Sequence, residues 1–176
     1  MRKVVAFALA VFAMTIFASP AQANVQPWRW EKPKVYFCDF TDNHAWRVGI
    51  AAVQANALPD VEVVYQRGSC PWAGTNQVVR FYDYKYGKTD WYGQTSYGLN
   101  AKRNRITVAD VRLNETWAKE YDANDRRRIT LHEALHSLGL DHTKRKDSVM
   151  YTYVTRLNLL GPTDYDKAEI DRRYPW

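Results

Sequence analysis

The segment His132-Glu133-Ala134-Leu135-His136-Ser137-Leu138-Gly139-Leu140-Asp141-His142 holds three of the chain's four histidines and restricts the fold more than any other feature. On a helix, residues four apart share a face, so His132 and His136 can offer imidazole nitrogens to one ion. Glu133 is rotated about 100° round a helix of 3.6 residues per turn, off the ligand position but able to lean over the ion's open side and hold a water. Gly139 tolerates the left-handed conformation that ends a helix and turns the chain back, which lets His142 bring a third nitrogen from outside it. Three protein nitrogens and one open position describe a catalytic zinc site, whereas a structural site is closed by a fourth ligand. At this chain's own residue frequencies the five fixed positions would coincide on the order of a few times per million chains, which leaves little room for an amphipathic helix that merely carries surface imidazoles.

The rest of the chain has to supply a scaffold for that helix. Apolar residues make up 46% of the 176 positions and no low-complexity tract interrupts them, which suits one globular domain. Lys34 to Phe40, Val61 to Gln66, Gln77 to Tyr82 and Arg105 to Leu113 are β-branched or aromatic runs that read as strands, and the more polar Gln94 to Asn100 reads as an edge strand. Thr41-Asp42-Asn43 offers caps for a helix to about Ala57 with Trp46, Ile50, Val53 and Ala57 on its apolar face. Asp122 or Asn124 can cap the histidine-bearing helix, and Thr163 starts a last helix to Tyr174. The tyrosine-rich stretch Asp83 to Gly93 reads as a surface loop. This order predicts a mixed α/β (α+β) domain built on one sheet.

Met1 to Lys3 form a positive start, Val4 to Ala18 a short apolar run, and Ala21-Gln22-Ala23 a small-x-small cleavage site. Residues 1–23 therefore read as a signal peptide, cleaved after Ala23, with residues 24–176 as the exported, extracellular domain. The apolar run is too short for a bilayer of about 30 Å, and no later stretch is apolar enough to span one, so no stable membrane insertion is expected. In an oxidising compartment the only two cysteines, Cys38 and Cys70, are expected to form a disulfide, and closing a loop of about 32 residues contributes on the order of 3 to 4 kcal/mol. Two thiolate metal ligands are the poorer alternative, since neither belongs to a Cys-x-x-Cys pair. Formal charge is 25 minus 19, or +6, and about +4 without Arg2 and Lys3. That excess is too small for the concentrated basic face a nucleic acid requires.

Ser148-Val149-Met150-Tyr151 follows the third histidine by six residues, and with the zinc motif it resembles the metzincin zinc proteases. Ala52-Val53-Gln54, Val61 to Tyr65, Gly98-Leu99, Ile106 to Trp117 and Asp164 to Tyr174 extend the similarity to the catalytic domain of bacterial matrixins. The resemblance implies a zincin-like fold with a twisted mixed sheet, an active-site helix, a methionine turn and a C-terminal helix. It implies one catalytic zinc on His132, His136 and His142, and hydrolysis of peptide bonds in proteins by a zinc-bound water that Glu133 activates. Met150 is expected to pack beneath the histidines, because a thioether is a poor zinc ligand. Tyr151 or Tyr153 is a candidate for assisting the oxyanion, with a packed aromatic as the competing role. The resemblance puts Arg128 near the floor of the specificity pocket; an exposed arginine in the run Arg126-Arg127-Arg128 is the competing reading.

Calcium is common in the resembled family, and the loop carrying Asp83, Asp90 and Gly93 lies where such a site could form if three or more oxygens converge. A second zinc is excluded, as only His44 remains. The chain departs from the matrixin pattern at Thr143, Thr152 and Val154, with Tyr153 between the last two, which puts the pocket's shape in question. The stretch between Ala23 and the first strand contains no cysteine to keep the enzyme latent. A monomer acting on protein or peptide substrates is expected. The competing class is a zinc-stabilised extracellular binding protein with no catalysis, and an altered Glu133 would have pointed there.

Overall fold

The computed structural model describes residues 28–74 and 76–175; the signal peptide expected over residues 1–23 lies outside them. Its regular elements are β1 (Lys34–Asp39), α1 (Val48–Ala55), β2 (Glu62–Arg67), β3 (Val78–Tyr84), β4 (Gly93–Leu99), β5 (Ile106–Asn114), α2 (Ala123–Ser137) and α3 (Asp164–Arg173). Short 3-10 turns lie at His44–Trp46, Glu115–Glu120 and Val154–Arg156. The five strands form one sheet in the order β2-β1-β3-β5-β4, parallel except for β4, which runs antiparallel to β5. The polar strand is thus an edge, as its composition predicts.

Strand alternation sorts the side chains. Phe37, Val79 and Ala109 are register partners on adjacent strands, as are Phe81 and Val111, and all are fully buried on one face. The Phe37 and Phe81 rings meet at 5.1 Å within the same apolar cluster as Ile129, Leu131 and Leu135 of α2. Arg80 and Asp110 occupy the opposite face and pair through two hydrogen bonds of 2.6 and 2.9 Å. The helices therefore cover one side of the sheet, and the other meets water.

The helix expected from Asn43 to Ala57 is interrupted. Asn43 caps only the 3-10 turn, and Arg47 at φ 58° breaks the spiral before α1 begins at Val48. The break buries Trp46, whose indole N–H donates to Glu115 and whose carbonyl accepts from Thr130 of α2 at 2.7 Å. It also shifts the helical phase: Val48, Ala51, Ala52 and Ala55 face inward, while Val53 is 72% exposed and Ile50 lies outside the core. Alanines let α1 lie close to α2, where the larger side chains of the expected face would hold it off.

The loop after β3 is built round a fully buried side chain. Asn114 accepts from the amides of Tyr86 and Thr116 and donates to the carbonyl of Gly87 and the hydroxyl of Thr89.

Cys38, buried in β1, is bonded to Cys70, with their Cα atoms 5.4 Å apart. Replacing both by serine is expected to cost about 3 to 4 kcal/mol, read from the shift of the urea unfolding midpoint. A loss below about 1 kcal/mol would mean that the intervening loop is constrained without the bond.

Candidate metal centre and active site

Helix α2 is fixed at both ends. Asp122 accepts from the amides of Asn124 and Asp125 at 2.7 and 2.8 Å, and Asp125 reaches back to the Asp122 amide, closing a capping box. At the other end the Gly139 amide donates to His136 at 2.6 Å and the Leu140 amide to Leu135 at 3.2 Å, with Gly139 at φ 90°. This paired, glycine-terminated arrangement satisfies carbonyls that have no partner within the helix. Three aromatic donors complete the work: Tyr97 bonds the carbonyl of His136, Trp30 that of Ser137 and Tyr174 that of Leu138, at 2.6, 2.9 and 2.8 Å.

The turn brings three imidazoles together. His142 Nε2 lies 3.1 Å from that of His132 and 3.2 Å from that of His136. His132 Nδ1 stands 2.7 Å from the carbonyl oxygen of Val149, and His136 Nδ1 2.7 Å from that of Leu140. A carbonyl only accepts, so in both rings Nδ1 carries the proton and Nε2 keeps its lone pair. Burial, and each ring's exposure to its neighbours' charge, hold His132 well below the ordinary histidine range and His136 at about 4. Neutral rings with convergent lone pairs would repel one another with nothing between them, so the donor set fits a divalent cation such as zinc.

Glu133 follows the first histidine and is 5% exposed. Burial pushes its carboxyl up to about 7, and a 2.7 Å hydrogen bond from the Thr95 hydroxyl to Oε2 opposes that shift. Gly93 makes room for it, because a Cβ at that position would come within 2.5 Å of Glu133 Cγ.

Met150 is buried, in a turn held by Asp166 at the start of α3. The fully buried Asp166 carboxylate accepts from the Ser148 hydroxyl at 2.5 Å, the Val149 amide at 3.2 Å, and the Thr163 amide and hydroxyl at 2.8 and 2.9 Å. Since the Val149 carbonyl also accepts from His132, α3 is connected to the first of the three histidines through one carboxylate. Thr163-x-x-Asp166 is legible in sequence as a helix cap, but nothing in that spacing points to the methionine turn.

A cavity of about 260 Å³ opens beside His132, Glu133 and His142, lined also by Trp91, Tyr92, Gly93, Ile129 and Val154, with Asp90, Thr152 and Tyr153 completing it.

A family model for matrixins matches residues 38–174. The chain belongs to the matrixin family. As a matrixin it is a zinc metallopeptidase, and its fold is that of a metzincin catalytic domain. No curated protein matches it significantly. Among solved structures it is similar to myroilysin (14% identity, TM-score 0.53, covering 88% of this chain and 99% of that one). It is also similar to an archaemetzincin from Methanopyrus kandleri (15% identity, TM-score 0.51, covering 82% and 97%). At such identities the likeness concerns fold alone.

In this matrixin two of the positions that depart from the family pattern, Thr152 and Val154, line the cavity together with Tyr153, whereas the third, Thr143, does not. Tyr151 does not, and packs edge-on against Tyr153 at 5.8 Å. Arg128 is also outside the lining, and it is buried, not the exposed arginine of the competing reading: it bonds Asp125 within α2 at 2.9 Å and Asn158 beyond it at 3.4 Å. The calcium site considered at Asp83, Asp90 and Gly93 is not assembled. Asp83 gives its two oxygens to the amides of Asp42 and Asn43, Asp90 and Gly93 line the cavity beside the histidines, and the histidine triad is the metal-ligand cluster among the described residues.

Asp166→Ala removes four acceptor contacts at once and is expected to cost roughly 3 kcal/mol or more by thermal or urea unfolding. Zinc affinity, read by competition with a chromogenic chelator, should fall about 10-fold or more because the His132 partner loses its support. Unchanged affinity would show that α3 is not part of the metal's support.

Proposed function

We propose that this matrixin is an exported endopeptidase that cleaves internal peptide bonds of proteins, with Glu133 as the general base. The observation that carries this reading is an intact, buried carboxylate next to three convergent imidazole nitrogens, at the mouth of a cavity large enough for one substrate side chain. His132, His136 and His142 would hold one zinc. When bound, that zinc supplies Lewis acidity, polarising a peptide carbonyl and acidifying a water. Glu133 takes the proton from the attacking water and hands it to the leaving amine nitrogen. Met150 supports the ligands from below as an apolar, polarisable filler.

Among the described residues β4 ends the sheet, so its outer edge can offer backbone groups to which an extended substrate adds beside the catalytic turn of α2. The side chain following the cleaved bond enters the cavity, against Trp91, Ile129 and Val154. Tyr153 lines that cavity and Tyr151 does not, which favours Tyr153 as the tyrosine that meets substrate. Export of residues 24–176 after removal of residues 1–23 is supported by the N-terminal pattern and by the Cys38–Cys70 bond, and the exported chain acts as a monomer.

Purified residues 24–176 are expected to cut casein, to stop on addition of a zinc chelator, and to lose roughly 10²-fold or more of their activity in Glu133→Ala while retaining one zinc per chain. If wild type and variant both hold zinc and neither cuts casein or a mixed peptide library, general proteolysis is wrong, and a zinc-stabilised binding role takes its place.

A further inference from the structure

On the edge strand, Gly93, Thr95 and Tyr97 alternate onto the face that meets α2, and each addresses the catalytic turn. Gly93 leaves space for the Glu133 side chain, Thr95 bonds its carboxylate, and Tyr97 bonds the carbonyl of His136 at 2.6 Å. We propose that Thr95 is a positioning residue that anchors Glu133 through Oε2 and leaves Oε1 as the oxygen that exchanges protons. The inference rests on the reading of Glu133 as the base.

The two carboxylate oxygens have different surroundings. Oε2 accepts from the Thr95 hydroxyl at 2.7 Å, while that hydroxyl lies 3.1 Å from the Glu133 carbonyl, so its single proton has its shorter contact with the charged acceptor. Oε1 would stand 2.8 Å from a Cβ at position 93 and has room only because that residue is glycine. Gly93, Glu133, His132 and His142 all line the same cavity, where a water would give up its proton to attack the peptide carbonyl and a leaving amine would be released. A carboxylate free to rotate about its last bonds would spread its lone pairs over many directions. The hydroxyl from a neighbouring strand removes that freedom before substrate arrives. The proton accounting is closed: an O–H bond of water breaks as Oε1–H forms, and Oε1–H breaks as the amine N–H forms. The Thr95 proton stays where it is throughout.

The test compares zinc-loaded Thr95→Val, Thr95→Ser and wild type on an internally quenched peptide, with zinc content and thermal midpoint measured on each. Valine keeps the shape and removes the donor; serine keeps the donor. The expected result is a kcat lower by about 10-fold or more in Thr95→Val, with KM within about twofold and zinc unchanged, and recovery of most of kcat in Thr95→Ser. A Thr95→Val enzyme with kcat within about twofold of wild type overturns the inference, as does a Thr95→Ser enzyme as slow as the valine variant. If valine prevents folding, Thr95→Ala against Thr95→Ser poses the same question. Turnover that survives in Glu133→Ala would sink the base itself, whereas an enzyme that needs Glu133 but ignores Thr95→Val loses only this proposal.

Discussion

The left-handed residue at the end of α2 governs where a third ligand can stand. Had the helix continued, His142 would lie about 9 Å further along the axis than His136, at 1.5 Å per residue, and no single ion could touch both. With Gly139 at φ 90° the two ε nitrogens are 3.2 Å apart. An L side chain at that position would meet the backbone strain of positive φ and also a wall, because its Cβ would fall 2.4 Å from Nε of the buried Arg173. The turn has no slack elsewhere either. Trp30, Tyr97 and Tyr174 hold three successive carbonyls from three separate parts of the chain, each bond being worth on the order of 1 kcal/mol. The metal-binding geometry is thus a property of the folded domain and not of the eleven-residue segment alone.

That dependence explains what could be read in the sequence. The histidines, Glu133 and the glycine were legible because helix periodicity and a single special conformation relate them locally. The strands and their edge were legible through alternation and polarity. The phase of α1 was not, because Arg47 breaks the spiral to let Trp46 reach Glu115 and Thr130, both distant in sequence. Thr95 and Asp166 were missed for the same reason. Each acts on a group 16 or more residues away, and spacing along a chain carries no information about such a meeting until the sheet order is known.

The cavity shows a different boundary. Ile129 follows from its place one turn before Glu133, but Thr152, Tyr153 and Val154 approach from an irregular segment, and Trp91 and Tyr92 from the loop that Asn114 organises. Thr152 and Val154 are also positions at which the chain departs from the matrixin pattern. The cavity wall therefore rests partly on backbone held by one buried asparagine and one 3-10 turn, while two of the three histidines and Glu133 rest on regular helix. Loop substitution can change the cavity without disturbing the ligands, which is the usual division between a rigid scaffold and the segments it displays.

Two buried carboxylates flank the histidines, and their partners separate their roles. Asp166 accepts four hydrogen bonds, from Ser148, Val149 and Thr163, so every oxygen is committed and the group can only hold its neighbours in place. Glu133 accepts one, from Thr95, and burial without further compensation raises its carboxyl to about 7, where gaining and losing a proton cost little near neutral pH. A second donor on Glu133 would favour its charged form and make it a poorer proton carrier; removing a donor from Asp166 would leave an unsatisfied buried oxygen and loosen the methionine turn. The same chemical group thus meets four donors in one place and one in the other, and under the proposed function that difference separates a strut from a base.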